Sequence, residues 1–125
     1  MASIGNILVI DDTPANLKLM IATLSAAGYE VRPVRDPSRA VTAALLEKPD
    51  LILLDVAMPE MDGYAVCRQL KAQPELKAIP IILVSAQGEP LDNARIKSVG
   101  ADAFIGKPFN LDDLITKVHD ILIPE

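Results

Sequence analysis

At 125 residues the chain has the length of one domain and can bury a sizeable core. A net charge of −5, 3% aromatic residues and no Lys/Arg cluster argue against direct nucleic-acid binding. Half of the residues are hydrophobic, yet no apolar run is long enough to cross a membrane, and the single cysteine, Cys67, excludes an internal disulfide.

In chain order, residues 6–10 (NILVI) form a short unbroken apolar run. That pattern suits a strand covered on both faces of a parallel sheet. Asp11 and Asp12 come directly after it. Leu17, Met20, Ile21 and Leu24 then recur at helical spacing, with Thr13 as the expected N-cap, Pro14 in the first turn and Gly28 at the exit. Residues 29–34 (YEVRPV) alternate and contain Pro33, which places this strand at a sheet edge. Asp36-Pro37 is expected to open a second helix, with Ala40, Val41, Ala44 and Leu45 facing inward.

A second buried run, residues 51–54 (LILL), ends at Asp55. The third helix is expected to start near Asp62 and to bury Val66, Cys67 and Leu70. Residues 81–84 (IILV) give another buried strand, closed by Ser85. A fourth helical pattern, from about Pro90 to Val99, has the weakest apolar stripe. Residues 103–105 (AFI) make a short strand, again an edge, and Lys107 lies just beyond it. Asn110 is the expected cap of a fifth helix with the stripe Leu111, Leu114, Ile115, Val118 and Leu122. Five strands alternating with five helices predict an α/β fold with a mostly parallel sheet.

The residues just past the strands carry the functional reading. Parallel strands point the same way, so Asp11, Asp12, Asp55, Ser85 and Lys107 are expected on one rim, at the carboxyl ends of the strands, where ligands bind in open α/β sheets. Three carboxylates packed together are unfavourable unless a cation joins them. Hard divalent ions prefer oxygen donors, and no His/Cys set points to zinc. Asp11 and Asp12 therefore read as a Mg²⁺ seat. Asp55 beside that metal reads as a nucleophile toward phosphorus, with Lys107 as a point charge and Ser85 as a hydroxyl for the phosphoryl oxygens. Each residue also has a plainer reading: Asp11 and Asp12 as helix-cap acids, Asp55 as a turn residue, Ser85 as the close of a strand, Lys107 as a solvated loop residue. His119 reads as a solvated surface residue, Cys67 as core, and Met58 and Met61 as loop packing.

The segments VIDD (9–12), LLDVAMPEMDG (53–63), VSA (84–86) and GADAFIGKPF (100–109) stand in the order and spacing of a response-regulator receiver domain of bacterial two-component signalling, and the chain resembles that family from Asn6 to Ile121. The resemblance implies a three-layer, doubly wound (βα)5 flavodoxin-like fold, with a five-stranded parallel sheet in the order 2-1-3-4-5 and a single receiver domain. It implies that Asp12 ligates Mg²⁺ directly, that Asp11 helps through water, that Asp55 is both phosphoacceptor and metal ligand, and that the backbone carbonyl of Ala57 completes the protein's share of the metal shell. It also implies that Ser85 and Lys107 sense the phosphoryl group, that the Lys107–Pro108 peptide is cis, and that Phe104 is the switch aromatic, although an aromatic in an edge strand is ordinarily core. Ala57 and Gln87 occupy positions that tune phosphoryl loss in the family.

The expected function is thus a phosphorylation-activated signalling module, not an enzyme beyond its own phosphoryl transfer. It would be loaded by a histidine kinase or a histidine-phosphotransfer protein and would pass the signal to a downstream protein or a fused output domain. A homodimer is compatible with this reading, and a membrane or nucleic-acid partner is not expected. No charged, apolar, small-residue leader opens the sequence, so a cytoplasmic location is expected. The alternatives are a phosphorylation-independent pseudo-receiver and a haloacid-dehalogenase-like phosphatase. The phosphatase needs a D-x-D motif after the first strand, and Thr13 or Pro14 stands where its second aspartate would fall. A flavin-binding flavodoxin-like domain would need a hydroxyl- and glycine-rich loop where this chain has DDTPAN (11–16).

Overall fold

The unbroken apolar runs become the interior of one sheet. Its strands are β1 (Asn6–Ile10), β2 (Glu30–Val34), β3 (Leu51–Asp55), β4 (Ile81–Ser85) and β5 (Ala103–Gly106). They lie parallel in the order β2-β1-β3-β4-β5, so β2 and β5 are the edges, as Pro33 and the short AFI run predict. The computed structural model describes residues 5–55, 63–85, 100–106 and 111–122. Among them the helices are α1 (Pro14–Ala26), α2 (Ala40–Leu46), α3 (Gly63–Ala72) and α4 (Leu111–Leu122), the last being the fifth helical pattern of the sequence. The pattern over residues 90–99 and the Asn110 cap lie outside the described residues.

Side chains alternate across a strand, so each central strand feeds two cores. Ile7, Val9, Leu51, Leu53, Ile82 and Val84 face α1 and α4, which contribute Leu17, Met20, Leu24, Leu114 and Val118. Leu8, Ile10, Ile52, Leu54, Ile81 and Leu83 face α2 and α3, which contribute Ala40, Ala44, Val66, Cys67 and Leu70. The result is the three-layer flavodoxin-like arrangement. No helix among the described residues is long and apolar enough to cross a membrane.

Helix ends obey local chemistry with two departures from expectation. Gly28 adopts φ 103° and closes α1 as a Schellman motif: its N–H donates to Ser25 O at 3.0 Å and the Tyr29 N–H to Leu24 O at 3.1 Å. Thr13 does occupy the N-cap position of α1, ahead of Pro14, but its side chain makes no cap bond. Its hydroxyl lies 3.5 Å from Asp12 Oδ1, and it is the Thr13 N–H, donating to Asp11 Oδ1 at 2.9 Å, that ties this turn. The second departure concerns Leu45, whose spacing predicts an inward face and which is exposed. The chain after Asp36 starts as a 3₁₀ turn (Pro37–Arg39) before α2 begins, and α2 is only seven residues long. Its inward stripe is therefore limited to Ala40 and Ala44, with Val41 half-buried.

Two polar stitches hold the amino-terminal edge of the sheet. The Arg32 guanidinium donates to Asn6 Oδ1 at 3.2 Å, to the Ala43 carbonyl at 3.4 Å and to the Glu47 carbonyl, tying β2 to the end of α2. Lys71 Nζ donates to the carbonyls of Lys77 and Ile79 at 3.1 and 2.8 Å and to Asp102 Oδ2 at 3.2 Å. Asp102 Oδ2 also accepts the Ile81 N–H at 2.9 Å, so one carboxylate joins α3, β4 and the entry to β5.

Candidate functional site

All five strands end on one rim, and the acidic residues stand there. Asp11 is the first residue beyond β1; its N–H donates to the Val34 carbonyl at 3.1 Å, which holds it beside the end of β2. Asp55 is the last residue of β3. Because Ile10 pairs with Leu54, the next residues along, Asp11 and Asp55, come side by side. Asp12 is carried alongside by the turn into α1. One carboxylate oxygen from each of the three lies within 4.8 Å of the others.

Burial sharpens the electrostatics. Asp11 is 0% exposed and Asp55 3% exposed, while Asp12 is partly open to solvent. The Thr13 N–H donates to Asp11 Oδ1 at 2.9 Å, fixing that carboxylate against the start of α1. Buried carboxylates at such separations repel strongly unless neutralised. The set is all oxygen, compact and set in the mouth of a sheet. Those are the properties a hard divalent cation such as Mg²⁺ requires of its protein donors.

The sequence-predicted residues fare differently. Asp11, Asp12 and Asp55 are brought together. Ser85 closes β4, with its backbone opposite Gly106 of β5, and so belongs to the same rim. Phe104 lies in β5, half-buried, packed against the core of the α2–α3 side. Ala57, Met58, Met61, Gln87, Lys107 and Pro108, with the expected cis peptide, lie outside the described residues. His119 is exposed on α4, with Nδ1 3.8 Å from the Asp120 carboxylate, and stands away from the rim. Cys67 is buried in the core, and that burial pushes its thiol up to about 11.

In the sequence, Asp36-Pro37 reads only as a helix start, and Arg35 is not singled out. Arg35 and Asp36 leave the sheet on the same rim and, with Pro37, share the walls of a cavity of about 420 Å³ with Asp12. A signal for them exists: residues just past the other strands are rim residues, and the same rule applies to β2. Asp36 accepts the N–H and hydroxyl of Ser38 at 3.0 and 2.7 Å, and these bonds hold its carboxyl below the usual aspartate value.

The sequence matches the family model of the response regulator receiver domain over residues 7–119. It is 43% identical over 117 residues to the response regulator PleD of Caulobacter vibrioides, covering 94% of this chain and 26% of PleD. Among solved structures it resembles the signal receiver domain of a signal transduction histidine kinase from Syntrophus aciditrophicus, with 43% identity and a TM-score of 0.85 over 94% of this chain and 89% of that one. It also resembles the chemotaxis protein CheY4 of Vibrio cholerae, with 30% identity and a TM-score of 0.89 over 97% of this chain and all of that one. The chain spans only 26% to 48% of the length of the curated relatives it matches first. Sheet order, the acidic triad at the strand ends and the match across nearly the whole sequence place the chain in the response regulator receiver domain family, the signalling domains of two-component systems.

Proposed function

We propose that this chain is a single phosphoacceptor receiver domain in which Asp55 takes a phosphoryl group with the help of a divalent cation. The observation that carries the reading is the cluster of Asp11, Asp12 and Asp55 within 4.8 Å at the carboxyl ends of neighbouring strands, inside a receiver-family sequence. The cation, Mg²⁺, would be held by Asp11, Asp12, Asp55 and the backbone carbonyl of Ala57, and when bound it would neutralise charge that builds up on the transferring group. Asp55 is the fitting nucleophile because its strand holds it rigidly and its burial excludes competing water. Asp11 and Asp12 supply the negative charge that seats the cation. Ser85, which closes β4, and Lys107, which follows β5 in the sequence, would take the phosphoryl oxygens by a hydroxyl and a point charge. In this reading Pro108 fixes the direction of Lys107, and Phe104 repacks when Ser85 moves, which biases a two-state surface.

The donor would be a histidine kinase or a histidine-phosphotransfer protein, and the output a changed affinity for a downstream protein, a fused output domain or a second copy. A cytoplasmic setting fits this pairing. The test is intact-mass measurement after incubation with acetyl phosphate and Mg²⁺, beside an Asp55→Asn variant and a chelated sample. One added phosphoryl group that requires the metal and is lost in the variant is the expected result. Labelling that persists in Asp55→Asn would move the acceptor elsewhere, and failure of the wild type both to take label and to bind beryllofluoride would end the phosphoacceptor reading.

A further inference from the structure

The triad suits a cation but does not account for how an anionic donor approaches three carboxylates. The cavity beside Asp12 offers an answer. It is lined by Asp12, Arg35, Asp36 and Pro37. Two arginines leave β2 and its end with opposite fates. The Arg32 guanidinium is consumed by Asn6 Oδ1 and two backbone carbonyls and is 3.7 Å from Glu47 Oε2. Arg35 is exposed and, among the described residues, no carboxylate lies within ion-pair distance of it. Asp36, the neighbouring acid, is engaged by Ser38. Arg35 also borders an apolar groove lined by Pro14, Leu17, Lys18, Ile21 and Pro33, so it stands between an apolar surface and the polar cavity beside Asp12.

We propose that Arg35 is a donor-positioning residue: in the cavity beside Asp12 it takes the acyl oxygens of small acyl-phosphate donors, which become a carboxylate as the bond to phosphorus breaks. The inference rests on the phosphoacceptor reading above. A guanidinium is the side chain best matched to a planar carboxylate, which it can bind through two parallel N–H groups. The chemistry balances without further reactants. An Asp55 oxygen forms a bond to phosphorus, the bond between phosphorus and the acyl oxygen breaks, and the electron pair departs on the released carboxylate. In this proposal the developing charge on that carboxylate would meet Arg35, whereas a phosphoramidate donor releases a neutral amine after protonation and gains nothing from a guanidinium.

The experiment compares loading rates with acetyl phosphate and with phosphoramidate, each across a concentration series, for the wild type, Arg35→Ala and Arg35→Lys. The ratio of the acetyl phosphate rate to the phosphoramidate rate should fall about tenfold in Arg35→Ala, the size expected for loss of one charge-assisted hydrogen bond. Arg35→Lys should recover part of it. The rise in melting temperature on adding Mg²⁺ alone should match the wild type, which separates donor positioning from damage to the metal seat. An unchanged ratio, whether both rates fall together or neither moves, overturns the proposal while leaving Asp55 as acceptor. A wild type that loads from neither donor overturns the underlying reading as well.

Discussion

Asp11 and Asp55 stand one residue beyond the Ile10–Leu54 pair of neighbouring parallel strands, both buried, with a carboxylate oxygen of each within 4.8 Å of the other. At this separation two charges repel by on the order of 1–3 kcal/mol in a partly polarisable protein environment. The fold tolerates that cost at the rim, where a cation can offset it, and the cost makes stability report on the metal. Asp55→Asn keeps shape and removes one charge. In chelated, low-salt buffer the variant should be more stable than the wild type by about 1 kcal/mol in urea denaturation. Mg²⁺ should then stabilise the wild type more than the variant. A variant no more stable than the wild type in chelator would show that the triad stores no repulsion.

Core and surface leucines should differ sharply. Leu24 is fully buried between α1 and the sheet, while Leu46 at the end of α2 is 82% exposed. Leu24→Ala should cost about 2–5 kcal/mol, combining lost transfer energy and a cavity. Leu46→Ala should change stability by less than about 0.5 kcal/mol. Denaturant midpoints at constant slope decide both.

Gly100 adopts φ 84°, and a Cβ placed there would stand 3.2 Å from Lys71 Cγ. Gly100→Ala should therefore destabilise by about 1 kcal/mol or more. Adding Lys71→Ala removes the contact but not the backbone strain. If the glycine penalty persists in that background, the left-handed backbone is its cause; if it vanishes, the Lys71 stem is.

Asp102 accepts from both Ile81 N–H and Lys71 Nζ, so Asp102→Ala takes this acceptor from the Ile81 N–H and removes one of the three acceptors of Lys71 Nζ at the junction of α3, β4 and β5. A loss of about 1–3 kcal/mol is expected, the range for leaving hydrogen-bonding groups unsatisfied. Amide exchange at Ile81 should quicken more than at Ile7, whose strand is held elsewhere. Uniform acceleration at both would indicate global rather than local weakening.

Burial raises the Cys67 thiol from an ordinary value of 9.0 to about 11. The folded state therefore holds its proton where the unfolded state has lost it. Stability from this group is fully present below about pH 9 and declines as pH rises from 9 toward 11. Cys67→Ala should flatten that part of the stability–pH curve, and Ellman's reagent at pH 8 should label the wild type only after denaturation. Rapid labelling of the native protein would contradict the burial.

The strand runs, the helical stripes of α1 and α3, the edge positions of β2 and β5 and the rim acids are all legible along the chain, because hydrophobic period and turn chemistry are local properties. The same locality lets the sequence single out Asp11, Asp12 and Asp55 without showing that their oxygens meet. Leu45 departs from its spacing although it lies inside α2: the helix turns Ala40 and Ala44 to the core and leaves Leu45, one position past Ala44, on the open side. Thr13 takes the N-cap position as its spacing predicts, but its hydroxyl lies by Asp12 Oδ1 and makes no cap bond. Tertiary structure alone decides that Arg32 is consumed by Asn6 and two carbonyls while Arg35, three residues on, opens into the cavity with Asp12. Those outcomes depend on which strands become neighbours and where α2 ends, and no spacing within one segment encodes that.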